Sequence, residues 1–151
     1  MATKAVKDFS LPATGGKTFK LSEAKAKFLV IYFYPKDNTP GCTTEACGFR
    51  DQQKDFSKKK AVILGVSADG VASHEKFKKK YGLPFQLLSD PEKNVIQSYG
   101  VWKEKNMYGK VSMGVVRTTF LIDEKGIVSK VWNNVKVDGH VEAVLSAIEG
   151  K

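Results

Sequence analysis

The chain is short of the residues that staple or metallate small folds: two cysteines and two histidines in 151 residues. Two cysteines cannot build a disulfide framework. A chain of this length with 42% hydrophobic residues has enough apolar side chains for a full core without one. One domain over residues 1–151 is therefore expected, and any cysteine role is chemical before it is structural. Zinc held by Cys42, Cys47, His74 and His140 would need an unusual spacing and would occupy a nucleophile. Both histidines are accordingly read as solvated, and neither as a base. Also missing is any apolar run of membrane-span length, and residues 1–8 carry no apolar stretch of signal-peptide size. A soluble cytoplasmic protein without membrane contact is the expectation.

Positive charge is in excess, with a formal net charge of +9, but it is dispersed. Lysine runs occur only at 58–60 and 78–80, with no arginine cluster, zinc-finger spacing or aromatic-interleaved RNA motif beside them. Solvated helix faces account for these runs, so nucleic-acid binding is not expected and steering of anionic partners is what the charge can do. Internal repeats, low-complexity tracts and inter-domain linkers are lacking too.

What is present reads as alternating strands and helices. The run Phe28-Leu-Val-Ile-Tyr-Phe-Tyr34 is continuously apolar and rich in β-branched and aromatic residues, as a strand buried on both faces requires. Pro35 ends it, residues 36–41 form a loop, and a helix is expected from about 42 to 58. A second apolar run at 61–66 precedes a charged helix over 71–81, which favours a parallel β–α unit. Residues 85–88 suggest a short strand, Asp90 a cap for a helix starting at Pro91, and Tyr99-Gly100 its end. Strands at 118–122 and 127–132 flank a hairpin turn at 123–126, and a last helix is expected over 139–149. Residues 102–115 show no clear element and read as a surface loop. The order implies a layered α/β sandwich, with helices on both faces of a mixed sheet and an N-terminal extension around residues 9–21.

Strand, loop and helix meet at Cys42. A thiol reacts as thiolate, so a nucleophilic cysteine needs surroundings that lower its pKa from a free value of about 8.5. In the first turn of a helix, unpaired backbone N–H groups and the positive end of the macrodipole do so. Thr39, three residues earlier, offers a hydroxyl to the thiolate or to an oxygen beside it, or alternatively a plain N-cap. Pro40 and Gly41 constrain the approach of backbone to sulfur, and Pro35 either shields the site or only shapes the turn.

The spelling Pro35-Lys-Asp-Asn-Thr39-Pro-Gly-Cys42 resembles the active-site motif of the peroxiredoxins. Its continuation Thr43-Thr-Glu45-Ala-Cys47-Gly-Phe-Arg50-Asp resembles the bacterioferritin comigratory protein, or PrxQ, group. The likeness extends through Gly65-Val-Ser67, Leu87-Leu-Ser-Asp90, Tyr99-Gly-Val-Trp102 and Arg117-Thr-Thr-Phe-Leu-Ile-Asp123. The resemblance implies a thioredoxin-like three-layer fold and reduction of hydrogen peroxide and organic hydroperoxides, with Cys42 as the peroxidatic cysteine and Cys47 as the resolving one. Electrons would come from thioredoxin or a similar dithiol, and no metal or organic cofactor is implied. A monomer is expected, with a dimer as the alternative.

The same resemblance maps a catalytic arginine onto Arg117, which otherwise reads as a surface charge at a strand start. Its fork of donors suits both a thiolate and the oxygens of a peroxide. Glu45 matches an acidic position of the family. It either favours the first helical turn or orients an arginine, and the two readings stay open, as does the role of Arg50. Trp102 and Met107 are left open as pocket residues.

Spacing adds a mechanical demand. Residues five apart on an ideal helix are separated by about 7.5 Å of rise and about 140° of rotation, which puts their Cα atoms roughly 8 to 9 Å apart. A disulfide needs Cα atoms within about 7 Å, so Cys42 and Cys47 can pair only if the intervening turn unwinds. Ala46, Phe49 and Phe56 fall within about 40° of Cys42 on the helical wheel, while Cys47 points away. Gly48 lowers local helix stability by about 1 kcal/mol relative to alanine. The plain alternatives are a buried spectator Cys47, or pairing between subunits. A thioredoxin-type exchanger would share the placement of Cys42, but it uses Cys-x-x-Cys, which closes without unwinding.

Overall fold

The computed structural model describes residues 4–5, 9–21, 27–107, 109–133 and 135–148. Most of the stretch screened for a signal peptide, and Glu149 at the end of the expected last helix, lie outside the described residues.

The apolar run becomes β4 (Phe28–Phe33), parallel to β5 (Ala61–Ser67) and antiparallel to β9 (Thr118–Asp123). Its side chains divide strictly by parity: Val30 and Tyr32 enter one core, Leu29, Ile31 and Phe33 the other. A strand covered on both faces has no position at which a polar side chain reaches water, which is why the run is unbroken. The first core is closed by α1 (Pro40–Asp51), α2 (Gln53–Lys58), α3 (Val71–Tyr81) and α5 (His140–Ile148), through Ala46, Phe49, Phe56, Phe77, Val141, Val144 and Ile148. On the opposite face lies α4 (Asn94–Ser98), with Val95 and Ile96 inside.

Outward from β5, β6 (Gln86–Ser89) continues the parallel set. The N-terminal extension is a hairpin, β2 (Ser10–Ala13) and β3 (Lys17–Lys20), attached to β6 through the Ala13 and Leu88 pair. On the other side β10 (Ile127–Trp132) pairs with β9, and β1 (Lys4–Ala5) with β10. The eight strands run in the order β1-β10-β9-β4-β5-β6-β2-β3, so the expected mixed sheet with helices on both faces is present. The lysine runs end α2 and α3, where cations face helix C-termini; all are exposed except half-buried Lys78, whose Nζ donates to the carbonyl of Phe85 at 3.0 Å.

Three expectations need correction. The helix expected over 42–58 starts two residues earlier and is interrupted: the Gln52 N–H closes the last turn of α1 on Gly48, and the Gln52 carbonyl starts α2 by accepting from Asp55 and Phe56. Asp90 does cap, accepting from the N–H groups of Asn94 (3.2 Å) and Ile96 (2.8 Å), but α4 begins at Asn94, because Lys93 adopts a left-handed φ of 63°. Residues 102–115 form an antiparallel hairpin, β7 (Trp102–Met107) and β8 (Lys110–Val115), apart from the main sheet. Met107 faces Lys110 across a two-residue turn in which Gly109 takes φ +80°, a turn signal that the polar content of these strands obscures.

Gly65 shows how tightly the first core is filled. It lies opposite Tyr32 in register, and a Cβ there would sit 2.9 Å from both the Tyr32 ring and Leu87 Cδ2. Gly65→Ala is expected to lower unfolding free energy by about 1–3 kcal/mol, the usual cost of overpacking. Denaturant unfolding measures this, and a loss within error of zero would show that the ring yields freely.

Candidate active site

The β4–α1 connection delivers Cys42 to the third position of a helix that opens with Pro40, whose missing N–H costs nothing there. Thr39 occupies the N-cap position in extended conformation, and its carbonyl accepts the Thr43 N–H at 2.8 Å, closing the first turn. The N–H of Cys42 is thus among the donors that no helical carbonyl satisfies, and the positive end of the helix faces its sulfur. Cys42 is 1% exposed and Cys47 half-buried on the same continuous helix, both as free thiols. Cys42 shares its core with Ala46 and Phe49, as the wheel requires, and with Phe56 of α2, while Cys47 lies off that stripe.

Arg117 reaches this helix from the start of β9. Its Nη2 donates to Cys42 Sγ at 3.3 Å and its Nη1 to Glu45 Oε1 at 2.7 Å. The backbone on either side is held, with the Val116 N–H on the Val101 carbonyl and the Val135 N–H on the Arg117 carbonyl. Burial alone would lower the pKa of the guanidinium, but Glu45 and Cys42 outweigh it and hold the group above its ordinary value. Gly41 has its reason here: a Cβ at that position would meet Arg117 Nη2 at 3.1 Å.

Glu45 settles between its two readings. It lies in the second turn of α1, fully buried, with its carboxyl on Arg117, so it orients the arginine and does not serve the helix end. Among the described residues its Oε2 has no hydrogen-bond partner. Burial lifts its carboxyl to about 7, against the opposing pull of Arg117. Tyr32 floors the site, stacked on Phe49 at 4.9 Å, and burial, then Glu45 and Cys42, push its phenol far above its ordinary range.

Thr39 departs from expectation. Its hydroxyl donates to the Lys36 carbonyl at 3.0 Å and makes no cap bond, the local carbonyl three residues back being its nearest competitor for the proton. Pro35 is half-buried at the strand end. Arg50 donates to the Tyr81 carbonyl and pairs with Asp51, which ties α1 to α3. Trp102 packs on the second core, on the sheet face opposite Cys42, and the side chain of Met107 lies outside the described residues.

The histidines are corrected outright. Both are buried, His74 at 0% and His140 at 5%. His140 shares a 2.8 Å hydrogen bond with Thr119, and His74 sits among Asp37, Tyr34 and Leu88. Spacing held a signal for His74: it precedes Phe77 by three residues, on the one face of α3 that is buried.

A model of the AhpC/TSA family matches residues 2–131. The chain belongs to that family. It is 50% identical over 142 residues to peroxiredoxin Bcp of Bacillus subtilis, covering 94% of this chain and 90% of that one. With peroxiredoxin Bcp of Xanthomonas campestris the identity is 47% over 142 residues, or 94% and 89% of the two chains. A solved structure of the Xanthomonas campestris bacterioferritin comigratory protein, studied for alkyl peroxide reduction, matches with a TM-score of 0.90 at 43% identity, over 97% of this chain and 98% of that one. The chain is therefore a thiol peroxidase, a peroxiredoxin of the Bcp/PrxQ group, and its sheet and helices are those of the thioredoxin fold.

Two buried groups give this peroxiredoxin opposed pH responses. A carboxyl raised from 4.5 to about 7 favours the fold while protonated, so Glu45 costs stability as pH rises through that interval. Burial, and then Arg117, lower the His140 imidazole from 6.5 to about 4, so its contribution is lost as pH falls through that range. Glu45→Gln removes only the first response. The difference in unfolding free energy between variant and wild type should therefore move in the variant's favour as pH rises from 4.5 to about 7. Denaturant titration of the reduced proteins reads this, and a difference that does not vary with pH would mean that Glu45 does not titrate there.

Proposed function

We propose that Cys42 is the peroxidatic nucleophile of this enzyme, toward hydrogen peroxide and organic hydroperoxides. The observation that carries the reading is the single guanidinium, 3.3 Å from Cys42 Sγ and anchored through its other nitrogen by Glu45. The Cys42 thiolate attacks the terminal peroxide oxygen. An S–O bond forms, the O–O bond breaks, and the departing hydroxide or alkoxide takes a proton as water or alcohol. Arg117 lies where charge develops on both the sulfur and the oxygens. Thr39, by rotating its hydroxyl away from Lys36, supplies a donor or acceptor at the same mouth, with Pro35 limiting water and Gly41 keeping space for the guanidinium.

Cys47 then attacks the sulfenic sulfur, an S–S bond forms and water leaves. Both cysteines lie on one intact helix, so the turn between them unwinds for this step. Thioredoxin or a similar dithiol reduces the disulfide. The chain acts as a single domain and a monomer, in the cytoplasm, where such reductants keep thiols reduced.

Arg117→Ala should lower the second-order rate constant for peroxide by about two orders of magnitude with the fold retained. Stopped-flow oxidation of the reduced protein measures it, and an unchanged constant would remove Arg117 from the site. Cys47→Ser should leave the first oxidation of Cys42 intact but stop recycling, exposing the sulfenic acid to further oxidation. In the wild type, amides at 43–50 should exchange faster in the disulfide form than in the reduced form. Equal protection, or a disulfide found only between subunits, would refute the unwinding.

A further inference from the structure

The loop that carries Thr39 to the helix of Cys42 is fixed from behind by a buried polar cluster that the chemistry does not use. Asp37 is 7% exposed and accepts on both oxygens: Tyr34 Oη donates to Oδ1 at 2.6 Å, while Ser73 Oγ at 2.8 Å and His74 Nδ1 at 2.7 Å meet Oδ2. Its own N–H donates to Asp69 Oδ2 at 2.7 Å, and that carboxylate also accepts from Ser67 Oγ. His74 Nε2 faces the Leu88 carbonyl at 2.9 Å, an acceptor, so Nε2 carries a proton. The neighbouring residue, Asn38, sits at φ 62° and accepts from Tyr81 Oη at 3.2 Å. Tyr81 in turn receives Arg50 Nη1 on its carbonyl, so α3 grips the chain on both sides of the two cysteines.

Burial would raise the Asp37 carboxyl, but hydrogen bonds from His74 and Tyr34 outweigh it and hold the group below its ordinary value, as an ion. Asp37, Asp69 and His74 have one ligand atom each within 4.8 Å of the others, the reach of a cation. Those atoms are spent on one another and on protein donors, with Nδ1 and Oδ2 in direct contact, so the cluster is an anchor and not a metal site.

We propose that Asp37 is a positioning residue for the peroxidase reaction: gripped by Tyr34, Ser73, His74 and Asp69, it fixes the β4–α1 loop so that Thr39 and the first turn under Cys42 meet the peroxide in reacting geometry. This rests on the reading of Cys42 as nucleophile. Four bonds converge on Asp37, two positions before Thr39, with a further bond on Asn38, whereas the side chain of Thr39 holds the loop through Lys36.

The grip works by geometry, which separates it from a field effect of the charge. Asp37→Asn keeps the acceptor for Tyr34, and its amide can donate to Ser73 Oγ and to the Nδ1 of an imidazole protonated on Nε2 alone. Asp37→Ala removes every side-chain bond. The test measures two rates at Cys42, mapped by mass spectrometry: oxidation by hydrogen peroxide and alkylation by iodoacetamide. Asp37→Ala is expected to slow oxidation by about 10- to 100-fold, as misplacement of a reacting group does, without slowing alkylation. Asp37→Asn should stay within about threefold of wild type in both rates, the margin below which no misplacement is implied. Asp69→Ala, at a half-buried position, cuts the backbone hold on Asp37, together with the Ser67 Oγ bond, and should slow oxidation in the same direction, which keeps the test available if Asp37→Ala does not fold. Oxidation unchanged in the alanine variants, oxidation and alkylation slowed together, or Asp37→Asn as slow as Asp37→Ala would each overturn the proposal. Wild-type protein whose Cys42 is not the oxidised residue would instead overturn the reading beneath it.

Discussion

A guanidinium shared between a sulfur and a carboxylate is the constraint around which this site is built. Cys42 and Glu45 are both buried on one face of α1, and Arg117, arriving from β9, donates to the sulfur and to the carboxyl at once. A lysine would present one point charge, whereas the planar fork of arginine places two N–H groups on two different acceptors at once. The demand propagates outward. Gly41 must lack a Cβ, and the backbone flanking Arg117 must be pinned by Val101 and Val135.

The same helix is docked firmly along one face, and its second cysteine stands off that face. Ala46, Phe49 and Cys42 are sunk in the core, Cys47 is not, and Arg50 moors the far end to α3. Gly48 serves this arrangement in a way that helix propensity alone does not suggest. Its missing Cβ admits Val141 of α5, which would stand 3.0 Å from that atom, so the glycine is a packing contact as well as a weak point in the helix. The polar cluster around Asp37 lies at the other end, behind the loop.

Much of this architecture was legible along the chain. The strands at 28–34 and 61–66 and the helix over 71–81 declared themselves through apolar runs and periodicity, because each buries a continuous face, whereas the strand at 127–132, with Val128 its one buried residue, was marked by the hairpin turn before it. The hairpin at 102–115 did not. It packs through few residues, β7 is largely polar, and its signals, the alternation of Val111, Met113 and Val115 in β8 and the glycine of a two-residue turn, are short. The start of α4 was displaced by a left-handed lysine that no local rule selects, although the capping role of Asp90 was correct.

The sequence by itself placed Cys42 in a first helical turn and set the mechanical conflict between Cys42 and Cys47, because these depend on residues within one strand, loop and helix. It also carried a motif specific enough to point at Arg117 by resemblance. Only the tertiary structure decided what depends on distance across the chain: that Glu45 meets Arg117, that Gly41 is small for its sake, and that both histidines are buried partners of other side chains. The reason is physical. A hydrogen bond between residues separated by 72 or 37 positions leaves no periodic trace in the sequence: spacing can put His74 on the buried face of α3, but it does not name the partner there.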